Sequence, residues 1–526
     1  LVQKMQAYQV GAGQISISTL WEICGGKRKV EIAKPALEKV RVSAGYVQKI
    51  VESEQVVYGI NTGFGPLCST IISKEDTSKL QDNILRSHSV GVGEAIDPVL
   101  SKAMMVLKLQ SLSMGYSGIQ EATLLRIRDF INMDIIPVVP EQGSVGASGD
   151  LAPLAHLFLP LIGLGEVFWK GDRVETKELF SKLGLEPLEL QAKEGLALIN
   201  GTQFIAAHAA LGVMRLHYIL NTADIIGAMS LEGVLGSASP FVEGVHTIRP
   251  FKGSVLVAHR MRALLRNSEM IQSHADCGRV QDPYSIRCIP QVHGSSRNAW
   301  LHVKELVDVE MNSVTDNPII LSEKEAISGG NFHGQLLAMA CDYLTLAAHE
   351  VGNISDRRIY LLLEGGHEGL PKLLMNDIGL NSGFMIPQYT SAALVSENKS
   401  LCYPASADSI PTSLGQEDHV SMGSISSRKL NQVISNLEQI LAIELVTAAQ
   451  AFDFRRPMKS SPILEACHEY VRSKIDHADR DRIFAKDIAK AHQIVSSYEL
   501  SRIAQNVAQK EHIDLNGVYD DLFQLS

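Results

Sequence analysis

The sequence predicts a mainly α fold: a long central helical bundle with a smaller mixed α/β N-terminal part. Three observations carry that prediction. Long stretches show apolar residues at helical spacing. Strand signals are few and sit in the first 180 residues. Of 526 residues, 45% are apolar and only 20% charged, which fills a large core and leaves a surface poor in charge, as faces buried between subunits are.

The elements follow in chain order. Gln55–Ile60 (QVVYGI) and Ile135–Val139 are short β-branched runs that read as strands, the second weakened by Pro137. Ser101–Met114 is an apolar helical run entered after Pro98 and left at Gly115. Leu151–Phe168 is the one segment apolar enough to imitate a membrane span. Pro153, His156, Pro160, Gly163, Gly165 and Glu166 interrupt it, so it reads as buried core. Gly165–Thr176 reads as a small hairpin turning at Lys170-Gly171-Asp172. Thr202–Leu235 is rich in Ala, Leu and Ile, and is too long for one ordinary globular helix. Gln335–Leu363 is a further long apolar helix. From Leu430, the spacing of Val433, Ile434, Leu437, Ile440, Leu441 and Leu445 draws one helix face, closed by Pro457. Helices apolar on several faces need helical neighbours, hence the bundle. The softest boundary lies near residue 200 and divides a mixed N-terminal domain, 1–200, from a long-helix bundle and C-terminal helical region, 201–526.

Composition and missing motifs exclude several functions. Lys+Arg number 48 and Asp+Glu 58, a net charge of −10 that argues against nucleic acid as a partner. The seven cysteines are scattered with no CxxC pair, so a cytoplasmic setting is expected rather than a disulfide scaffold or a thiolate zinc site. The chain opens on Leu1 with no charged-then-apolar leader; no secretion signal is expected, and residues upstream are expected to be missing. HExxH, GxxxxGK[ST], GxSxG and a post-strand GxGxxG are all absent, and neither a metal nor a membrane partner is expected.

The segment that stands out is Gly143–Asp150, GSVGASGD, in which glycine, alanine and serine fill nearly every position. It reads as a flexible loop ending in an N-cap, Ser148 or Asp150, for the next helix. The second reading is of backbone that must come unusually close to something, itself included.

Extended to GSVGASGDLAPLAH, the segment resembles the signature of the aromatic amino acid ammonia-lyases and aminomutases. Separate blocks across most of the chain share the resemblance. It implies the helical architecture common to ammonia-lyases and fumarases, although no GSxxMPxKxN-like fumarase loop is present. It implies that Ala147, Ser148 and Gly149 cyclise to 4-methylidene-imidazole-5-one (MIO), with no diffusible cofactor. Small side chains suit that step, because the Gly149 nitrogen must reach the Ala147 carbonyl across a single residue. The product is an electrophile that none of the twenty side chains provides.

The other blocks carry the remaining site residues that the resemblance implies. VYGINTGFGPLCST holds Tyr58, matching the family's catalytic base; alone it reads as a strand tyrosine, but Gly59, Gly63 and Gly65 fit a mobile lid. ALINGTQ holds Asn200, matching a carboxylate-binding asparagine and otherwise a helix-entry cap. VQDPYSIRCIPQVHG holds Gln281, Tyr284 (near the ring) and Arg287. Arg287 matches the arginine that clamps the substrate carboxylate in its planar fork, and alone reads as a surface salt bridge. GGNFHG holds Phe332, packed beside the cofactor in the family and otherwise a core aromatic. QEDHVSMG holds Glu417, which alone reads as solvent-exposed. MNSVTDNP is a matched stretch read as a structural turn, and Cys68 and His293 have no assigned role.

Two positions speak to substrate. Ser87-His88, in NILRSHSVGVG, resembles the histidine-type arrangement. Glu417 stands where histidine-type members have glutamate and aromatic-specific ones glutamine. A carboxylate accepts a hydrogen bond from an imidazole N–H, whereas against a phenyl ring it stays unpaired, at about 1–3 kcal/mol. The resemblance thus implies elimination of ammonia from L-histidine to give trans-urocanate, in a homotetramer with sites shared between subunits. The alternatives are a tyrosine or phenylalanine ammonia-lyase or 2,3-aminomutase and, more remotely, an inactive helical scaffold.

Overall fold

The computed structural model describes residues 6–53, 56–63, 65–67, 69–73, 76–273, 275, 278–365 and 369–525. Gln55, Cys68 and Cys277 lie outside the described residues. Six helices position the site: α1 (Thr77–His88), α2 (Pro98–Leu112), α3 (Gln203–Gly233), α4 (Ile289–Glu310), α5 (Gln335–Leu363) and α6 (Gly423–Asp453).

α3 is the axis of the bundle, and α2, α4, α5 and α6 all pack against it. It runs unbroken for 31 residues, or about 46 Å at 1.5 Å per residue. The expectation that this stretch is too long for one helix is overturned. Consecutive residues Phe204, Ile205, Ala206 and Ala207 are all buried, because neighbouring helices enclose every face and no solvent side is needed. Small residues let those neighbours close in. A Cβ on Gly212 would stand 2.6 Å from Leu430 on α6. One continuous apolar core runs from Val10 to Leu525.

α5 has the bounds expected from its periodicity. α2 starts at Pro98, in the first turn where a missing N–H is harmless, and Asp97 caps it by accepting from Val99 N at 2.8 Å. Leu151–Phe158 is a helix continued by a tight turn to Ile162 and ended by Gly163 at φ 77°. Among the described residues no helix is long and apolar enough to cross a membrane.

The hairpin pairs Glu166–Trp169 with Asp172–Glu175, and Ile136–Pro137 adds a third strand. Its turn is the two residues Lys170 and Gly171, both left-handed at φ 53° and 92°. Two strand expectations fail. Tyr58–Ile60 is a turn, because Gly59 at φ 71° breaks the extended run. A further hairpin, Ile319–Ser322 with Glu325–Ile327, lies beyond the first 180 residues, inside the helical part.

Candidate active site

Residues 143–150 form a loop at which three helices begin. Leu151–Phe158 follows it directly, and the first turns of α3 and α6 meet it from other directions. Met422 N donates to Val145 O at 3.0 Å, and Ser424 Oγ to Ser144 O at 2.6 Å. The backbone is pressed tight. Gly149 (φ 78°) bridges Gly201, and Asp150 N donates to Gly201 O at 2.7 Å. A Cβ on Gly149 would lie 2.2 Å from that oxygen, so only glycine fits. Asp150 does not cap the helix that follows it. Its fully buried carboxylate accepts from Phe204 N and Ile205 N, both at 3.0 Å, and so caps α3. Burial pushes its pKa up to about 7, against the lowering effect of those backbone bonds.

Beside the loop lies a cavity of about 550 Å³ lined by Tyr58, Ser87, His88, Ser148, Asn200, Ser413 and Glu417 among others. An adjoining cavity shares Ser87, His88 and Glu417 with it and adds Ala147 and Gly149. Seven of the site residues expected from the sequence are therefore neighbours: Tyr58, His88, Ala147, Ser148, Gly149, Asn200 and Glu417. Tyr58 accepts a hydrogen bond from Gly65 N at 3.2 Å. His88 ends α1. Its Nδ1 lies 3.0 Å from Ser87 Oγ, and burial holds its pKa below the ordinary histidine value, so the ring favours its neutral form. Asn200 is 2% exposed and sits at the exit of the helix Glu194–Ile199 rather than at a helix entry; its amide donates to Asn317 O at 3.3 Å.

Glu417 is only half exposed and is held on both oxygens. Oε2 accepts from Thr412 Oγ1 at 2.8 Å and Ser413 Oγ at 2.7 Å; Oε1 accepts from Ser148 Oγ at 3.0 Å. The carboxylate is thus fixed at Ser148.

Four expected residues lie elsewhere on the chain: Gln281, Tyr284, Arg287 and Phe332 line neither cavity. Gln281 and Tyr284 are exposed, Tyr284 at 70%. Arg287 stacks 4.4 Å from the Tyr284 ring, and its Nε donates to Asp282 O at 2.9 Å in place of a surface salt bridge. Phe332 is half-buried ahead of α5 and is not a core aromatic. His293 is structural: its Nδ1 meets Asp224 Oδ1 at 2.9 Å in the buried bundle. The turn at Asp316-Asn317 serves the site from behind, since Asn317 O receives Asn200 and Asp316 pairs with Lys193 at 2.7 Å.

A family model described as aromatic amino acid lyase matches residues 15–473. The chain belongs to the aromatic amino acid lyase family. Among its relatives, the histidine ammonia-lyase of Myxococcus xanthus is 45% identical over 487 residues, 92% of this chain and 96% of that one. The crystal structure of histidine ammonia-lyase from Trypanosoma cruzi is similar with TM-score 0.88 and 41% identity, covering 96% of each chain. Tyrosine aminomutase from Streptomyces globisporus is similar with TM-score 0.90 and 35% identity, covering 95% of this chain and 99% of that one. For an aromatic amino acid lyase, the site-building residues missed in the sequence are Thr412, Ser413 and Lys108, while Asp150 is foreseen only as a cap for the wrong helix. Thr412 and Ser413 lie just ahead of QEDHVSMG. Lys108 had a local signal, a cation in the middle of an apolar helix.

Proposed function

We propose that the protein is a histidine ammonia-lyase that eliminates ammonia from L-histidine to give trans-urocanate. The observation that carries this reading is the Glu417 carboxylate held by Ser148, Thr412 and Ser413 in a cavity that His88 also lines. Relatives of that name at 45% identity over nearly the whole chain support it.

The compressed, glycine-bounded loop suits the MIO group that Ala147, Ser148 and Gly149 would form. The group would supply an electrophile for the substrate amine beside the cavity. The protein's own side chains do the rest. Glu417 accepts the imidazole N–H and, with His88, orients the ring. Tyr58, its oxygen already receiving Gly65 N–H, takes the β-proton as phenolate. The helix N-termini around residues 143–150 add the positive potential that a phenolate needs. Asn200 holds the substrate carboxylate from this chain. Gln281, Tyr284, Arg287 and Phe332 would reach the cavity from other copies in a homotetramer, Arg287 clamping the same carboxylate. A cytoplasmic setting, expected from the scattered cysteines of the sequence, goes with this reading.

The test is to offer the purified protein histidine, tyrosine and phenylalanine separately and follow the ultraviolet absorbance of the conjugated acids. Urocanate alone is expected. Coumarate or cinnamate without urocanate would overturn the substrate, and a β-amino acid product would favour an aminomutase.

A further inference from the structure

Lys108 is in the wrong surroundings for a lysine. It sits in α2, where every residue from Leu100 to Leu112 is buried, and is itself 1% exposed. Its ammonium donates to the carbonyl of Asn200, its one hydrogen bond among the described residues. The carboxylates whose charge reaches it are engaged elsewhere: Asp316 with Lys193, and Asp150 with the first N–H groups of α3. Burial pushes the lysine down to about 7, with Asp316 and Asp150 opposing. An apolar side chain at this position would serve packing better than a buried cation. The lysine therefore needs another reason, and the peptide it grips provides one. The next residue is Gly201, whose oxygen receives Asp150 N and against which Gly149 is pressed too closely for any Cβ.

We propose that Lys108 is a positioning residue for formation of the electrophile: by clamping the Asn200 carbonyl it holds the Asn200–Gly201 backbone as the wall against which Ala147, Ser148 and Gly149 are compressed. This rests on the reading that these three residues cyclise. Cyclisation forms one bond, from the Gly149 nitrogen to the Ala147 carbonyl carbon. The carbonyl oxygen leaves as water with the amide hydrogens of Ser148 and Gly149. The Ser148 hydroxyl leaves as a second water with the Cα hydrogen of the same residue. No oxidant is consumed, so geometry decides the rate, and a wall that shifts relaxes the compression.

The experiment is intact-protein mass spectrometry of the full chain at a fixed early time after synthesis, just long enough for the wild type to finish, so that the dehydrated fraction reports the rate of losing two waters without any substrate. The wild type is expected fully dehydrated. Lys108→Met, with native circular dichroism, is expected to show a dehydrated fraction lower by about tenfold, the factor for one lost charge-assisted hydrogen bond. Should Lys108→Met fail to fold, Lys108→Gln is read in its place. A folded variant dehydrated to the wild-type extent would overturn the proposal. So would failure of both variants to fold, which would make Lys108 a residue of the fold alone. A wild type that retains both waters would instead sink the cyclisation reading, and the proposal with it.

Discussion

Glu417 receives three hydroxyl groups, from Ser148, Thr412 and Ser413, and so is oriented before any substrate arrives. Only the Oε1 side faces Ser148. A glutamine keeps the shape, removes the charge and puts an N–H where one of those hydroxyls now donates. Glu417→Gln is expected to lower kcat/KM for histidine by about 100-fold, the upper range for a hydrogen bond between charged partners. Urocanate formation at fixed pH measures it, and unchanged efficiency would remove Glu417 from substrate recognition. Ser148→Ala is expected to abolish turnover with unchanged circular dichroism; full activity would end the MIO reading. At this scale legibility depends on where a residue's partner lies. GSVGASGD announces a close approach locally, because a missing Cβ is a property of the residue itself, and Gly149 against the Gly201 oxygen is that approach. Nothing local in QEDHVSMG says that Glu417 folds back onto Ser148; only the family resemblance reached it. The task at Lys108 is hidden further, since its partner is a backbone oxygen brought close by tertiary packing.

Between elements, the bundle joins its helices through buried charge. Glu444 on α6 takes Arg358 and Ser355 from α5 and Ser230 from α3, at 2.7 Å for Ser230. Glu444→Ala would leave Arg358 buried without its counter-ion and is expected to cost about 3–5 kcal/mol. The shift of the urea midpoint measures it, and a midpoint within error of the wild type would contradict this account. His217 on α3 lies 5.3 Å from the Trp300 ring, and burial pushes its pKa from 6.5 down to about 3. Between those values the unfolded chain binds a proton that the folded protein refuses, so the slope of unfolding free energy with pH is positive. The contribution falls by about 1.4 kcal/mol for each pH unit of acidification. His217→Phe removes it. The variant's thermal midpoint should therefore gain on the wild type between pH 7 and pH 5, and a gap that does not change with pH would refute the assignment. Periodicity gives α5 its bounds because burial pattern is a local signal. α6 starts at Gly423, ahead of Leu430, because its first inward residues are polar. Ser426 Oγ, for example, donates to Asp342 Oδ2 at 3.0 Å, and hydropathy does not count such contacts as core.

At the scale of the whole molecule, one chain brings together seven of the eleven site residues expected from its sequence. Tyr58, His88, Ser148, Asn200 and Glu417 share a cavity, while Arg287 and Tyr284 do not line it, and Tyr284 is mostly in solvent. α5 also exposes Leu336, Met339, Tyr343 and Leu346, an apolar stripe of the kind that marks an interaction surface. If each working site takes Tyr58 from one subunit and Arg287 from another, two inactive variants can repair each other. Tyr58→Phe and Arg287→Ala are each expected to be inactive as homo-oligomers, one lacking the base and the other the carboxylate clamp. In oligomers assembled from an equal mixture, a site draws an intact Tyr58 half the time and, independently, an intact Arg287 half the time. About a quarter of wild-type activity should return, with no change in the KM of the active fraction. Sites contained within single chains would recover nothing, since no chain in the mixture carries both residues. Activity near zero after verified co-assembly would therefore reject the shared site and require Arg287 to reach Ser148 by a rearrangement of its own chain.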